Sequence, residues 1–483
     1  MSLLQVKPLD RLIRDSEAPE RQLRRTLGPL QLTGLGIGAI IGAGIFSTVG
    51  TAAAGGADHV GAGPALIVSF ILVAVACGFA ALCYAEFAAM VPISGSAYTY
   101  AYATLGELVA WIIGWDLIIE YAVGNVAVAI SWSGYFQELL RGFGISIPAW
   151  LGTDYRSAGE AVYATAPRLA GVPIIFNLPA FLIVALVTWV LVRGIRESAS
   201  FNTSMVILKL VIITFFLAVG AFYVKPENWQ PFAPNGFRGI SSAAAIIFFA
   251  YIGFDAVSTA AEETRNPARD MPIGIIASLL VCTIIYVAVA IVLTGLLPYT
   301  QLGTAEPLAT AFSALGMNWT AAIISLGAVF ATTSVLLVFQ LGQPRIFFSM
   351  ARDGLLPPWA ARVHPKYKTP HITTILTGLF VAVFAGLANI DEIVQLTNIG
   401  TLFAFVLVAV GILVLRRTAP DRPRPFRTPF VPWVPLAAIV SCSYLMLQLP
   451  LATWLRFIGW LAIGLVLYFL YGVRHSALRS PRL

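Results

Sequence analysis

Two apolar runs are interrupted by glycine, and their backbones are the first candidates for chemistry. Gly34, Gly36, Gly38, Gly42 and Gly44 crowd one stretch that ends in Ile45 and Phe46. Gly34, Gly38 and Gly42 recur every four residues on one helix face, a pattern that suits close helix packing. Gly44 lies off that face. The Gly42-Ala43-Gly44 step is therefore expected to unwind, since glycine accepts non-helical backbone at little steric cost. Amides freed at the start of a second half-helix attract a carboxylate. Carbonyls freed at the end of the first accept from an ammonium, and a molecule carrying both charges is an α-amino acid. The second run passes Phe248, Phe249, Ala250, Tyr251, Ile252, Gly253 and Phe254 to Asp255, an acid inside an apolar helix.

The elements that must position these residues follow from composition. The chain has 483 residues, 58% hydrophobic and only 11% charged, and its mean hydropathy is +0.84. That charged share is less than half of what soluble domains carry. Too few polar residues remain to cover soluble surfaces, and apolar runs exclude disorder and collagen. A membrane helix needs about 20 apolar residues. Apolar segments fall near 30–54, 64–91, 105–137, 174–194, 203–224, 240–261, 272–297, 319–342, 372–389, 393–415, 430–449 and 453–473. The expected fold is an all-α polytopic membrane protein with 12 transmembrane helices. The third segment is long enough to tilt or protrude. The stretch from Ser94 to Tyr102 is short and expected to be re-entrant or interfacial.

Lys and Arg fix the expected orientation. With both termini placed in the cytoplasm, 23 of the 30 fall on the cytoplasmic side and 5 outside, as the positive-inside rule requires. The formal charge of +7 thus follows topology rather than nucleic-acid binding. The basic arm precedes a long glycine-rich span and is not expected to be a cleaved signal. Cys77, Cys83, Cys282 and Cys442 all lie in apolar segments and read as small core residues. His59, His364, His371 and His475 sit in loops or at span edges without metal-ligand spacing. No cofactor, metal, nucleic acid or obligate protein partner is expected, and a membrane-embedded enzyme lacks its nucleophile–base pair.

Ionisable groups inside spans are costly and functional by default. Lys209 lies among aliphatics near the start of the fifth span. It either snorkels to the interface or switches a proton, because burial disfavours a charged lysine. Glu120 in the third span is either functional or a structural pairing residue. Asp255 caps the broken sixth span or pairs across the bundle. Glu86, near the inner end of the second span, and Asp116, in the outer part of the third, read as structural. Glu262, Glu263, Arg265 and Arg269 are expected to form a cytoplasmic gate or loop network. In the eighth span Thr332, Thr333 and Ser334 carry hydroxyls, which would suit a sodium site, and Val335 to Phe339 form a bulky wall against large side chains.

Breaks five spans apart are the best sequence pointer to an inverted-repeat transporter with a midplane site. At this point a resemblance emerges. Gly36-Ile-Gly38-Ala-Ile-Ile-Gly42-Ala-Gly44-Ile-Phe46, Phe248 to Asp255, and Ala261 to Pro272 resemble motifs of the amino acid–polyamine–organocation superfamily. Tyr84 to Glu86, Pro92 to Tyr98 and Arg345 to Pro357 fit as well. Within it the chain is similar to the cationic amino acid transporter branch.

The resemblance implies a five-plus-five inverted repeat with two added C-terminal helices. Its parts would be a cytoplasmic arm (1–29), a first repeat (30–224), a second repeat (240–415), spans 11 and 12 (430–473) and a tail (474–483). It implies substrate between spans 1, 3, 6 and 8. Amides of Ala43, Gly44 and Ile45, next to Gly42, would meet the carboxylate, and carbonyls of Ile40, Phe249, Ala250 and Ile252 the ammonium. Phe249 would stack over the ligand as an outer gate. Many relatives have Ser or Thr where Ala43 stands, so only a backbone amide is on offer here. The resemblance also favours Lys209 as a proton switch, standing where sodium-coupled relatives hold sodium. The expected activity is proton-coupled symport of L-amino acids across the cell membrane. Small to medium neutral substrates are favoured, and Glu120 keeps cationic ones open. Exchange, sodium symport and, remotely, a non-transporting sensor are the alternatives.

Overall fold

The computed structural model describes residues 5–7, 27–91, 96–193, 199–367 and 369–479, and helices follow the apolar runs. We number the apolar helical segments in chain order. The first, α1, runs Pro29–Ile40, breaks, and resumes as Gly44–Thr48 and Val49–Ala54. Then come α2 (Leu66–Met90), α3 (Glu107–Gly142), α4 (Leu178–Arg193) and α5 (Ala199–Gly220). The sixth, α6, runs Gly236–Ile247, tightens at Phe248–Tyr251, turns, and continues as Asp255–Glu263. The rest are α7 (Pro267–Leu296), α8 (Asn318–Arg352), α9 (His371–Leu387), α10 (Ile390–Thr418), α11 (Trp433–Leu447) and α12 (Leu451–Leu467, continuing to His475).

Among the described residues, eight helices are long and apolar enough to cross a membrane, nine with the bent pair of α1; α4, α9 and α11 are shorter apolar helices. A polytopic membrane protein follows. Outward faces agree. On α9, Ile375, Leu376, Leu379, Phe380, Val383, Phe384 and Leu387 all project outward, an apolar surface that only lipid tails cover without cost. The interior is different. α3 packs along α8 and α10, α7 along α1 and α2, and α4 along α9. Ser96–Thr104, within the stretch expected to be re-entrant or interfacial, is helical and packs on α3 and α10; Ser94 lies outside the described residues.

Buried charges are tied locally. Glu86 of α2 is fully buried and takes two 2.9 Å bonds from Arg416, with Arg424 at 3.2 Å and the Thr428 amide at 2.7 Å. One carboxylate thus joins α2 to the end of α10 and the loop beyond it. Glu107, at the foot of α3, accepts from Tyr468 at 2.9 Å and Tyr102 at 3.2 Å, and pairs with Arg479 at 3.0 Å. The foot of α3 therefore lies on the side that holds the C-terminal segment. Asp116, nine residues on, is in the portion of α3 nearer the termini. That corrects the sequence placement in the outer part: Asp116 lies only nine residues from the start of α3, and an orientation with the termini inside already begins that span on the inner side. Both Asp116 oxygens are buried without a hydrogen-bond partner, close against Gly400 of α10.

The segment after α6 is held by backbone rather than charge. The Leu27 amide donates to the Glu263 carbonyl at 3.0 Å, and the Arg265 amide to the Leu27 carbonyl at 2.9 Å. Among the described residues, Glu263, Arg265 and Arg269 form no ion pair with one another, and a single parallel backbone bridge between Leu27 and Thr264 joins this segment to the start of α1. The Glu262 side chain lies outside the described residues.

Candidate functional site

The two interrupted helices meet at their breaks. α1 ends at Ile40, Ile41 is extended with ψ 99°, and the two halves differ in direction by 42°. The second half opens as a π turn from Gly44, whose carbonyl accepts from Thr48 Oγ1 at 2.6 Å. The first amides of any helix lack an intrahelical acceptor, and here they belong to the residues around Ala43 and Gly44. In α6, Ile252 is extended (φ −60°, ψ 131°) and Gly253 adopts φ +124°, a left-handed conformation that L side chains rarely hold. The Gly253 amide donates to Asp255 Oδ1 at 3.2 Å, so Asp255 closes its own turn. Asn398 of α10 donates to the Ala245 and Ile246 carbonyls at 2.7 and 3.0 Å, satisfying the end of the first half of α6.

Contact between the breaks is at backbone distance. A Cβ on Gly44 would lie 2.3 Å from the Ala250 Cα, and one on Gly253 would lie 2.8 Å from the Ala39 carbonyl. Neither glycine can gain a side chain without the helices parting. Tyr286 of α7 completes the junction. Its hydroxyl is 2.9 Å from the Ile40 carbonyl and 2.8 Å from that of Ala250. One hydroxyl proton serves one carbonyl at a time, so the other acceptor is open to a second donor. These are two of the carbonyls that the sequence motifs single out for an ammonium.

The other candidates distribute around this junction. Phe249 is buried in the tight turn of α6, Ile45 at the start of the second half of α1. Gly42 faces Val335 of α8, whose Cγ2 would lie 3.1 Å from an added Cβ; this part of the α8 wall borders α1. Lys209 is 2% exposed and donates to the Gly38 carbonyl at 2.8 Å. It does not reach the interface but grips α1 just before the break. Glu120 is buried in α3.

Sequence reasoning missed Tyr286, Asn398 and a plug on the opposite side from the termini. A lone hydroxyl-bearing ring in an aliphatic run was the available signal for Tyr286, since buried tyrosines seek a partner. The plug is the segment 302–314. Ser47 of α1 donates to the Ala305 carbonyl and shares a 2.5 Å hydroxyl contact with Ser131 of α3; Tyr135 of α3 donates to the Phe46 carbonyl. Glu306 of this segment presses on Gly134 of α3.

Two predictions arise here. Tyr286→Phe should weaken substrate binding roughly tenfold while leaving the melting temperature within a few degrees, since one hydrogen bond to a carbonyl is at stake. Binding calorimetry beside thermal melting checks it. Burial pushes Glu306 up to about 7, against the pull of Arg141 and with the push of Glu138. A raised carboxyl stabilises its docked position only while protonated. The plug should therefore loosen as pH rises through about 7. Hydrogen exchange across 302–314 should accelerate from pH 6 to pH 8 by a margin that Glu306→Gln removes; an equal response in both proteins would refute it.

The comparisons agree with this geometry. Residues 27–472 match the family model "Amino acid permease". The chain is 52% identical over 462 residues to the branched-chain amino acid permease BcaP of Bacillus subtilis, covering 95% of this chain and 96% of that one. It is 48% identical over 479 residues to a methylthioribose transporter of the same organism, covering 99% and 100%. A vacuolar cationic amino acid transporter 4 of Arabidopsis thaliana is 37% identical over 426 residues, covering 87% and 68%. These relatives are permeases and transporters, not enzymes. Broken helices in contact, a membrane-spanning bundle and a family match from residue 27 to residue 472 together make this chain a member of the amino acid permease family.

Proposed function

We propose that the chain is a proton-coupled symporter of neutral L-amino acids in the cell membrane. Both termini are cytoplasmic, and the twelve segments all cross as two inverted five-helix repeats plus α11 and α12. The observation that carries the reading is the junction itself: helix-start amides of α1 beside the Ile40 and Ala250 carbonyls. Carboxylate lies on the amides of Ala43, Gly44 and Ile45, and ammonium on the carbonyls of Ile40, Phe249, Ala250 and Ile252. Phe249 is the outer gate. Val335, across from Gly42, and the acid-free wall from Val335 to Phe339 favour aliphatic side chains. A relative named for branched-chain amino acids supports the same preference. Lys209, buried with its amine on the Gly38 carbonyl, is the proton-bearing group. The bundle rocks about the fixed site, exposing it to each side in turn.

A second reading follows from the relative named for methylthioribose. A thioether sugar has neither a carboxylate nor an ammonium and would leave the helix-start amides without an anion. Uptake of labelled leucine into proteoliposomes, driven by an inward pH gradient without sodium, tests both. Leucine and alanine should compete, and methylthioribose and arginine should not. Equal competition by arginine removes the neutral preference. Competition by methylthioribose alone replaces the amino acid reading. Dependence on sodium, or on internal amino acid without response to pH, replaces the coupling.

A further inference from the structure

A cavity of about 520 Å³ opens on the flank of α7. Its floor includes Ile273, Ile276, Ala277 and Leu280, its mouth Arg269, and Phe426 from the loop after α10 leans over it. Ile273, Ile276 and Leu280 are spaced by three and four, one face of a helix. From Ala268 to Leu280 the helix rises about 18 Å, close to the roughly 15 Å of hydrocarbon in one leaflet. An open helix face would simply meet bulk lipid. Phe426 makes this one concave, at the level where head groups lie.

The mouth is cationic. Arg269 lines the cavity and Arg427 follows Phe426 directly in the chain; both are exposed and form no ion pair among the described residues. Next to Arg427, two guanidiniums share the single carboxylate of Glu86. Arg424 holds its proton less tightly than usual, first through burial and then through Arg416 and Arg427, with Glu86 opposing. A basic mouth above an apolar groove at the membrane surface suits a molecule with an anionic head and a hydrocarbon tail.

We propose that this cavity binds one anionic phospholipid, with its phosphate at Arg269 and Arg427 and an acyl chain along Ile273, Ile276 and Leu280 beneath Phe426. A free phosphate would use the arginines and leave the groove bare. The site touches the start of α7, just beyond the Leu27–Arg265 backbone pairing, and the loop that Glu86 anchors to α2. A bound lipid therefore joins the segment next to the broken helices to the rest of the bundle.

Native mass spectrometry on the full-length protein, released from detergent, tests this without any transport measurement. Phosphatidylglycerol should be retained at one per chain and preferred over chain-matched phosphatidylcholine by about fivefold or more. It should also raise the melting temperature, and inorganic phosphate should not displace it. Arg269→Gln should reduce retention to the level of phosphatidylcholine. Ala277→Trp, which fills the groove and keeps both arginines, should do the same. Equal retention of the two lipids by the wild-type protein overturns the proposal even if neither variant folds. Displacement by inorganic phosphate reduces the site to an anion contact and overturns it too, as does unchanged retention in both variants.

Discussion

Alanine in place of Gly44 is expected to abolish uptake. The added methyl would sit 2.3 Å from the Ala250 Cα, 2.7 Å from its Cβ and 2.8 Å from its amide nitrogen. The nearest obstacle is backbone and cannot rotate away. The two breaks must separate by about 1 Å, and misplacement on that scale costs roughly 100-fold where geometry sets the rate. Overpacking of this kind also destabilises by about 1–3 kcal/mol, so folded yield is measured alongside. Gly34 supplies the control: nothing lies within 4 Å of its Cβ position, and Gly34→Ala should transport normally. If both variants carry substrate at the wild-type rate in proteoliposomes, the junction is not where substrate binds.

Lys209 gives the second large effect. Its amine is buried and donates at 2.8 Å to the Gly38 carbonyl, two residues before the first half of α1 ends at Ile40. Lys209→Gln keeps a donor but cannot take up or release a proton. Lys209→Met removes the donor and leaves a buried carbonyl unsatisfied, at a cost of about 1–3 kcal/mol. Glutamine should preserve counterflow exchange while pH-driven accumulation falls roughly tenfold or more, the loss expected when a titrating group is removed. Methionine should impair both. Full pH-driven accumulation in either variant rules Lys209 out as the proton-bearing group.

What the sequence disclosed, it disclosed locally. Apolar length marked the twelve long apolar segments, and the glycines at 42, 44 and 253 marked where regular winding stops, because both signals lie in consecutive residues. Partners distant in sequence were silent. Tyr286 is 246 residues from Ile40 and Asn398 is 153 from Ala245, and nothing near either residue announces its acceptor. The plug was hidden for the same reason, since Ser47 and Ala305 are 258 residues apart. Glu86 read as structural from its position, but Arg416 and Arg424 could be paired with it only once α2 and α10 were side by side. Asp116 was misplaced although the Lys and Arg distribution already set the direction of its span, because depth was not counted from where that span begins.

The backbone pairing of Leu27 with Glu263 and Arg265 has a kinetic consequence. The beginning of α1 and the end of α6 are yoked, so neither swings out alone. In the proposed rocking motion, opening on that side must break both hydrogen bonds.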